Sequence, residues 1–389
     1  MPTSKLPSSE LAVMRQRNLS RVVRIIAEHP GVHLSDIALR TGLAVGSVNS
    51  LLNALVEGGI VDEEALKSGA GRGRPRRALK LADRWADLVA VRLTRTGIEA
   101  RAATLAGRVL ASATSERRGN WTVRDAAGAL ASVVAEVSAG RTRPGGSPLC
   151  AISFPGVVKD GRLAAEELDW INAEEAALTE TLRQHGFNRI GIRNDGSLAT
   201  LAEWRVGAAR GRSNVVVILL GRGLGGSAII DGRLFRGNGS PYGFGHTPVN
   251  PSGPVCSCGL RGCIELYASL QALARRLRET RRLAGMRSAE YAAELDRRAE
   301  ERDGEVLLAL HEAREHLKEF CDLIGALLTP ELIVVTGQSA VLAPRLTTDL
   351  VGAAEIPVLQ GQLGGESTLI GATLAAQEWV LDDPLSIAA

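Results

Sequence analysis

The sequence predicts a two-part chain, a mainly α winged helix-turn-helix followed by a larger α/β body. Three observations predict it. Helical apolar patterns separated by tight turns fill residues 18–57, and two short strand-like runs follow around a Gly/Arg-rich loop. From residue 87 strand-like and helical runs alternate, as in an α/β or mixed-sheet domain. Charge is also uneven: the 389 residues hold 46 basic and 43 acidic side chains, yet residues 1–82 alone hold 12 and 7. That places +5 on a head of residues 1–82 and −2 on a body of residues 83–389.

In the head, residues 18–28 (NLSRVVRIIAE) put Leu19, Val22, Val23, Ile25 and Ile26 near one helical face. His29-Pro30-Gly31 ends that helix. Residues 34–40 form a short second helix, with Ser35 as its N-cap or an early-turn residue, and Thr41-Gly42 makes the turn. The third helix spans 45–57, with Val48, Leu51, Leu52 and Leu55 inward and Gly58-Gly59 as its stop. Residues 60–61 and 78–81 read as strands on either side of the basic loop 68–77.

In the body, strand-like runs lie at 88–93, 98–105, 149–154, 190–193, 215–220, 227–230 and 332–335. Helical patterns lie at 123–138, 198–209, 265–282, 289–302, 305–328 and 366–381. Composition is that of a globular protein, with 45% hydrophobic and 23% charged residues. No apolar run is long enough for a membrane span, and residues 1–10 lack the apolar core of a secretory signal. Five cysteines, an odd number, disfavour a disulfide framework and point to the cytoplasm.

A helix-turn-helix reads DNA with its third helix, whose outward positions here are Ser47, Asn49, Ser50 and Asn53. Asn pairs bidentately with adenine, and Ser bonds bases or phosphates. This helix carries no Arg or Lys, so phosphate neutralisation falls to Arg15, Arg17, Arg21 and Arg40. In the loop, Arg72 and Arg74 alternate with Gly71 and Gly73, a pattern suited to a narrow minor groove. The plainer reading of that loop is a solvated basic linker. Double-stranded DNA is the expected partner.

The sharpest chemical signal is His246 followed by Cys256, Cys258 and Cys263 in a Gly/Pro-rich stretch. Four Cys and His ligands form the closed tetrahedral shell of a structural zinc ion. A disulfide or buried free thiols are the alternatives. Cys150 and Cys321 lie in apolar patterns and read as core residues.

Taken together, residues 15–380 resemble the ROK family of bacterial repressors and sugar kinases, more closely its regulator branch. The marks are Gly73-Arg74-Pro75, Pro155-Gly156, Asn194-Asp195, Gly245-His246, the Cys256–Cys263 box and Glu265. The resemblance implies an actin-like/ribonuclease-H-like sugar-kinase fold of two lobes, a small one of about 83–198 plus 370–389 and a large one of about 199–369. It implies zinc on His246, Cys256, Cys258 and Cys263. It also implies a sugar or sugar-derived effector between the lobes, held by Gly156, Asn194, Asp195, His246 and Glu265, and a homo-oligomer, dimer or tetramer. In the family's kinases the carboxylate at the position of Asp195 is the general base. One sugar-binding Glu of the family is replaced by Gly243.

The family's phosphate-binding Asp-x-Gly-Gly-Thr turn reads Arg92-Leu93-Thr94-Arg95-Thr96 here, without its acid and both glycines. The Gly-Gly adenosine turn is reduced to Gly337-Gln338, and the second phosphate loop, residues 221–226, carries Arg222. A DNA-binding regulator of sugar uptake or metabolism genes, a repressor without enzymatic activity, is therefore expected. The alternative is an active sugar kinase with a fused DNA head.

Overall fold

The computed structural model describes residues 8–65, 77–117, 121–144, 146–159, 162–164, 172–187, 189–235, 243–348, 350–352 and 355–387. The head is built from α1 (Ser8–Glu28), α2 (Leu34–Thr41) and α3 (Val45–Glu57). It ends in the antiparallel pair β1 (Val61–Ala65) and β2 (Arg77–Leu81). Leu19, Val22, Val23 and Ile26 of α1 are buried with Ile37, Val48, Leu52 and Leu55, as the helical spacing predicts. Gly42 ends α2 at φ +67°, a left-handed cap that favours glycine.

One expectation needs correction. Helix α1 starts ten residues before Asn18. Its first turns expose Leu11, Val13 and Met14, so no inward stripe marks them, and the helix rests there on helix-forming residues. Of the two places expected for Ser35, it takes the first turn of α2, and His33 is the N-cap residue. The basic loop, with Arg72 and Arg74, lies outside the described residues.

The body opens with β3 (Leu88–Thr94), β4 (Gly97–Ala103) and β5 (Val109–Glu116). Then come α4 (Val123–Ser138), capped reciprocally by Thr122 and Asp125, and β6 (Leu149–Phe154). A small antiparallel sheet follows, β7 (Val157–Lys159), β8 (Arg162–Ala164) and β9 (Asn172–Glu174). After α5 (Glu175–Gln184), β10 (Arg189–Asn194) leads straight into α6 (Asp195–Val206). The first large sheet has the order β10-β6-β3-β4-β5. Its β10, β6 and β3 run parallel and the remaining pairs antiparallel.

The second half continues with β11 (Val215–Leu220), β12 (Leu224–Ile230) and β13 (Arg233–Leu234). A helical layer comes next: α7 (Glu265–Ala268), α8 (Leu270–Arg276), α9 (Thr280–Ala284), α10 (Ser288–Glu300) and α11 (Gly304–Leu328). The chain then forms β14 (Leu332–Thr336), α12 (Ala343–Thr347), β15 (Val351–Gly352), β16 (Ile356–Gln360) and α13 (Ser367–Asp382). The second sheet has the order β13-β12-β11-β14-β16-β15. The helix expected over 265–282 is instead three short ones. Ser269 breaks it by capping the Ala272 amide, and Arg278 sits at φ +61°.

Between the sheets lies α6, packed on α13 on one side and on β11 and β12 on the other. Among the described residues the head has no separate core. Its apolar residues form one continuous cluster with Leu198 and Leu201 of α6 and Leu369, Ala372, Ala375 and Trp379 of α13. No helix among the described residues is long and apolar enough to cross a membrane.

Candidate functional site

On the head, Ser47, Asn49, Ser50 and Asn53 are all exposed on α3, while Val48, Leu51, Leu52 and Leu55 hold the helix down. Polar groups that bond bases thus face outward from a helix fixed by its apolar side. Of the arginines expected on phosphates, Arg21 bonds the Thr41 carbonyl at 2.6 Å and Arg40 meets His29 at 3.0 Å. Arg15 and Arg17 are exposed on α1.

A second constellation forms where the strand ends of both sheets meet. The chain leaves β10 at Asn194, whose carboxamide oxygen caps α6 through the Ser197 amide at 3.0 Å. The amide nitrogen of Asn194 donates to the Gly156 carbonyl at 3.0 Å and to Asp195 at 3.2 Å. Much of the Asn194 side chain is therefore committed to holding the loop after β6 against the start of α6. The Asp195 carboxylate accepts the Gly196 amide at 2.7 Å. Burial pushes its pKa up to about 7, backbone hydrogen bonds oppose the rise, and the nearby Glu265 carboxylate adds to it.

Close backbone approach makes this meeting possible. A Cβ on Gly196 would lie 2.5 Å from the Gly226 nitrogen, so only glycine lets α6 reach β12. At the same strand, Glu265 accepts the Leu224 amide at 2.8 Å. The structure thus brings Gly156, Asn194, Asp195 and Glu265 together around the first residues of α6 and β12. Gly243 stands just before the short turn Phe244–His246, and among the described residues a Cβ there would meet nothing within 4 Å.

His246, Cys256, Cys258 and Cys263 converge, their ligand atoms all within 4.8 Å of one another. Cys256 Sγ is 3.4 Å from His246 Nδ1, and Cys258 Sγ is 3.6 Å from Cys263 Sγ. Ligands at about 2.0–2.3 Å on a tetrahedral ion stand about 3.4–3.8 Å apart. A disulfide needs sulfurs at about 2.05 Å, so these thiols are not so bonded. The loop closes tightly at Gly262, φ +63°, where a Cβ would overlap the Asn250 carbonyl. Burial raises the Cys256 thiol, but hydrogen bonds from the Cys258 amide, Ser257 and His246 outweigh it and hold it at about 7. Burial and the neighbouring sulfurs raise Cys263. The donor set fits a thiophilic divalent metal. Because Nδ1 faces the sulfurs, the opposite ring nitrogen is the one left to point away from them. Cys150 and Cys321 are fully buried core thiols.

In β3, at the start of the segment where the resemblance led us to expect a phosphate turn, Arg92 is mostly buried. Its guanidinium bonds Glu99 at 2.5 Å, the Gly365 carbonyl, and Thr368 at 3.4 Å. Arg222, between β11 and β12, is buried and bonds the Leu283 carbonyl at 2.9 Å. Both cations are thus engaged with protein groups. Sequence reasoning also missed Glu203, a fully buried carboxylate in α6. It accepts the Ala208, Gln362 and Leu363 amides and the Thr336 hydroxyl. Its partners lie up to 160 residues away, and no local pattern signals them.

The ROK family's sequence profile matches residues 88–377, three quarters of the chain. The chain belongs to the ROK family. Residues 18–65 match the IclR helix-turn-helix domain. A glucokinase of Thermotoga maritima is 36% identical over 155 residues, 39% of this chain and 47% of that protein. The DNA-binding transcriptional repressor Mlc of Escherichia coli is 26% identical over 266 residues, 67% of this chain and 64% of the repressor. The chain therefore matches about half to two thirds of these relatives' lengths. Among solved structures, a ROK family transcriptional regulator homologous to the Escherichia coli Mlc protein superposes with a TM-score of 0.75 at 22% identity, covering 96% of this chain and 98% of that one. A ROK family glucokinase from Streptomyces griseus, in complex with glucose and AMPPNP, superposes with a TM-score of 0.60 at 27% identity, covering 75% and 99%. The fold is a helix-turn-helix head on a ROK sugar-kinase-like α/β body.

Proposed function

We propose that this protein is a DNA-binding transcriptional repressor controlled by a sugar or sugar-derived ligand, and that it carries no kinase activity. The observation that carries the reading is the continuous core joining an exposed polar recognition helix to α6, whose first residue is Asp195. Such a chain reads DNA at one end and senses a small molecule at the other. Similarity to both regulators and kinases of the family leaves two activities to choose between. The paired, buried Arg92 at the phosphate turn favours the regulator.

In this reading residues 1–82 bind an operator, and residues 83–389 sense the ligand and assemble a homo-oligomer, dimer or tetramer. Two heads of a dimer meet half-sites one turn apart, ~34–36 Å. Ser47, Asn49, Ser50 and Asn53 face base edges, and Arg72 and Arg74 enter the minor groove. Asp195, Glu265, His246 and the Gly156–Asn194 corner meet ligand hydroxyls. Zinc on His246, Cys256, Cys258 and Cys263 holds the loop that carries His246 into this corner. Four protein ligands leave it no open position, so its role is structural. The ligand acts through its differential affinity for two arrangements of the chain.

The test is a titration of the purified protein against its own promoter region and random DNA at two salt concentrations. A salt-sensitive preference for the promoter supports the reading. Equal affinity for both DNAs overturns it.

A further inference from the structure

Helix α6 starts in the candidate ligand site and ends beside the DNA-binding head. Its 12 residues span about 18 Å. Asp195 is its first residue, and Arg205 lies next to its last. Arg205 bonds one carboxylate oxygen of Glu378 on α13, and Arg24 of α1 bonds the other at 3.0 Å. One carboxylate is thus shared by a guanidinium from the sensing body and one from the head. All three side chains are more than two thirds covered, which limits screening by salt.

The surroundings make this contact stiff. A Cβ on Gly371 of α13 would lie 2.0 Å from the Leu198 carbonyl of α6, so the two helix backbones touch. Trp379, one residue after Glu378, packs into the same core, and a Cβ on Gly191 of β10 would lie 2.7 Å from its ring. On the head side, Arg24 also bonds Asp382 at 2.6 Å, and Gln16 bonds Asp383 at 2.7 Å. A shift of α6 therefore reaches α1 through the ends of α13 without passing through a flexible linker.

We propose that α6 and Glu378 relay the state of the Asp195 corner to helix α1, with Glu378 as the positioning residue common to both sides. This rests on the ligand-controlled reading above. A packed element carries coupling when both of its ends bias the same arrangement. Here one end is a carboxyl group at the candidate site, and the other is an ion pair to α1, which packs against the recognition helix.

The test uses the full chain and needs no identified ligand. Asp195→Asn perturbs the cleft end, and Glu378→Gln weakens the shared contact while keeping its shape. Hydrogen exchange is read at the α1 amides of residues 22–26, normalised to those of β14. Asp195→Asn should change α1 exchange by at least about threefold in the parent background and not in the Glu378→Gln background. Unchanged α1 exchange in Asp195→Asn overturns the proposal. An equal change in both backgrounds overturns it too, because the signal then bypasses Glu378. Failure of the parent protein to bind its promoter would sink the regulator reading instead, leaving the exchange result to judge the relay.

Discussion

Arg92 and Glu99 face each other across β3 and β4, with guanidinium and carboxylate 2.5 Å apart. The other arm of Arg92 reaches the Gly365 carbonyl and Thr368, at the N-terminus of α13. A cation here ties the first hairpin of the body to its last helix. It lies in β3, at the start of the segment 92–96 where the family resemblance led us to expect a phosphate-binding turn.

Arg92→Leu should leave Glu99 and the Gly365 carbonyl short of a partner. Breaking a largely buried pair costs about 3–5 kcal/mol, and the partial exposure of Glu99 lowers that to about 2 kcal/mol. Urea unfolding of the two proteins measures it. A loss below ~0.5 kcal/mol would show that the contact is incidental.

Coupled ATP-consumption assays over a panel of sugars should show no turnover above background. Robust turnover abolished by Asp195→Asn would make the chain a kinase with a DNA head.

Metal binding at the Cys/His cluster should weaken as pH falls. The Cys256 thiol sits at about 7, so it is largely thiolate at pH 8 and largely protonated at pH 6, and a metal must then displace its proton. Zinc titrations at pH 8 and pH 6 should show the higher affinity at pH 8. Cys258→Ser should release zinc and loosen residues 246–263, since structural zinc contributes on the order of 10 kcal/mol in small sites. Stoichiometric zinc in that variant, measured by elemental analysis, would contradict the assignment.

The Asp195 carboxyl gives a stability change of definite sign. Its value rises from 3.8 to about 7 on folding, so the folded chain holds a proton that the unfolded chain has already released. The contribution of this group is greatest below pH 4, is lost as pH rises through 7, and is flat above that. Asp195→Asn removes the dependence. The variant should therefore gain stability relative to the parent between pH 5 and pH 8, by on the order of 2 kcal/mol. A difference independent of pH would mean that Asp195 titrates normally.

Asn49→Ala and Arg74→Ala should each weaken promoter binding without moving the melting temperature. Asn49 on a base edge is worth about 1–3 kcal/mol, and its loss should relax sequence preference. Loss of Arg74 should reduce affinity and the slope against salt. Unchanged affinity in either variant would remove that residue from the interface.

How far this molecule can be read from its sequence depends on the range over which each part is held. α3, β6 and β11 begin and end where apolar spacing places them, because burial of one face or of the whole strand decides them locally. β5 was not expected. It is an edge strand of mixed small and polar residues with one buried position, Ala113, and shows no alternation. β16 was missed as well, since Pro357 argues against a strand and its pairing with β14 is what holds it. The Cys/His cluster was legible because its sulfurs fall within eight residues. The Arg24–Glu378 contact was not, because 354 residues separate its members. Asn194 was expected on ligand hydroxyls, and the structure adds that the same side chain caps α6.

The common core of head and body bears on how such a protein can evolve. Leu19, Val22 and Ile26 belong to the same buried cluster as Leu198, Ala372 and Trp379. A helix-turn-helix cut away at residue 82 would bare part of that surface, and one grafted from another chain would need to match it. This head is therefore no interchangeable cassette. New operator preferences are best reached by altering the exposed polar side of α3 in place, and the two parts are expected to have drifted in sequence together.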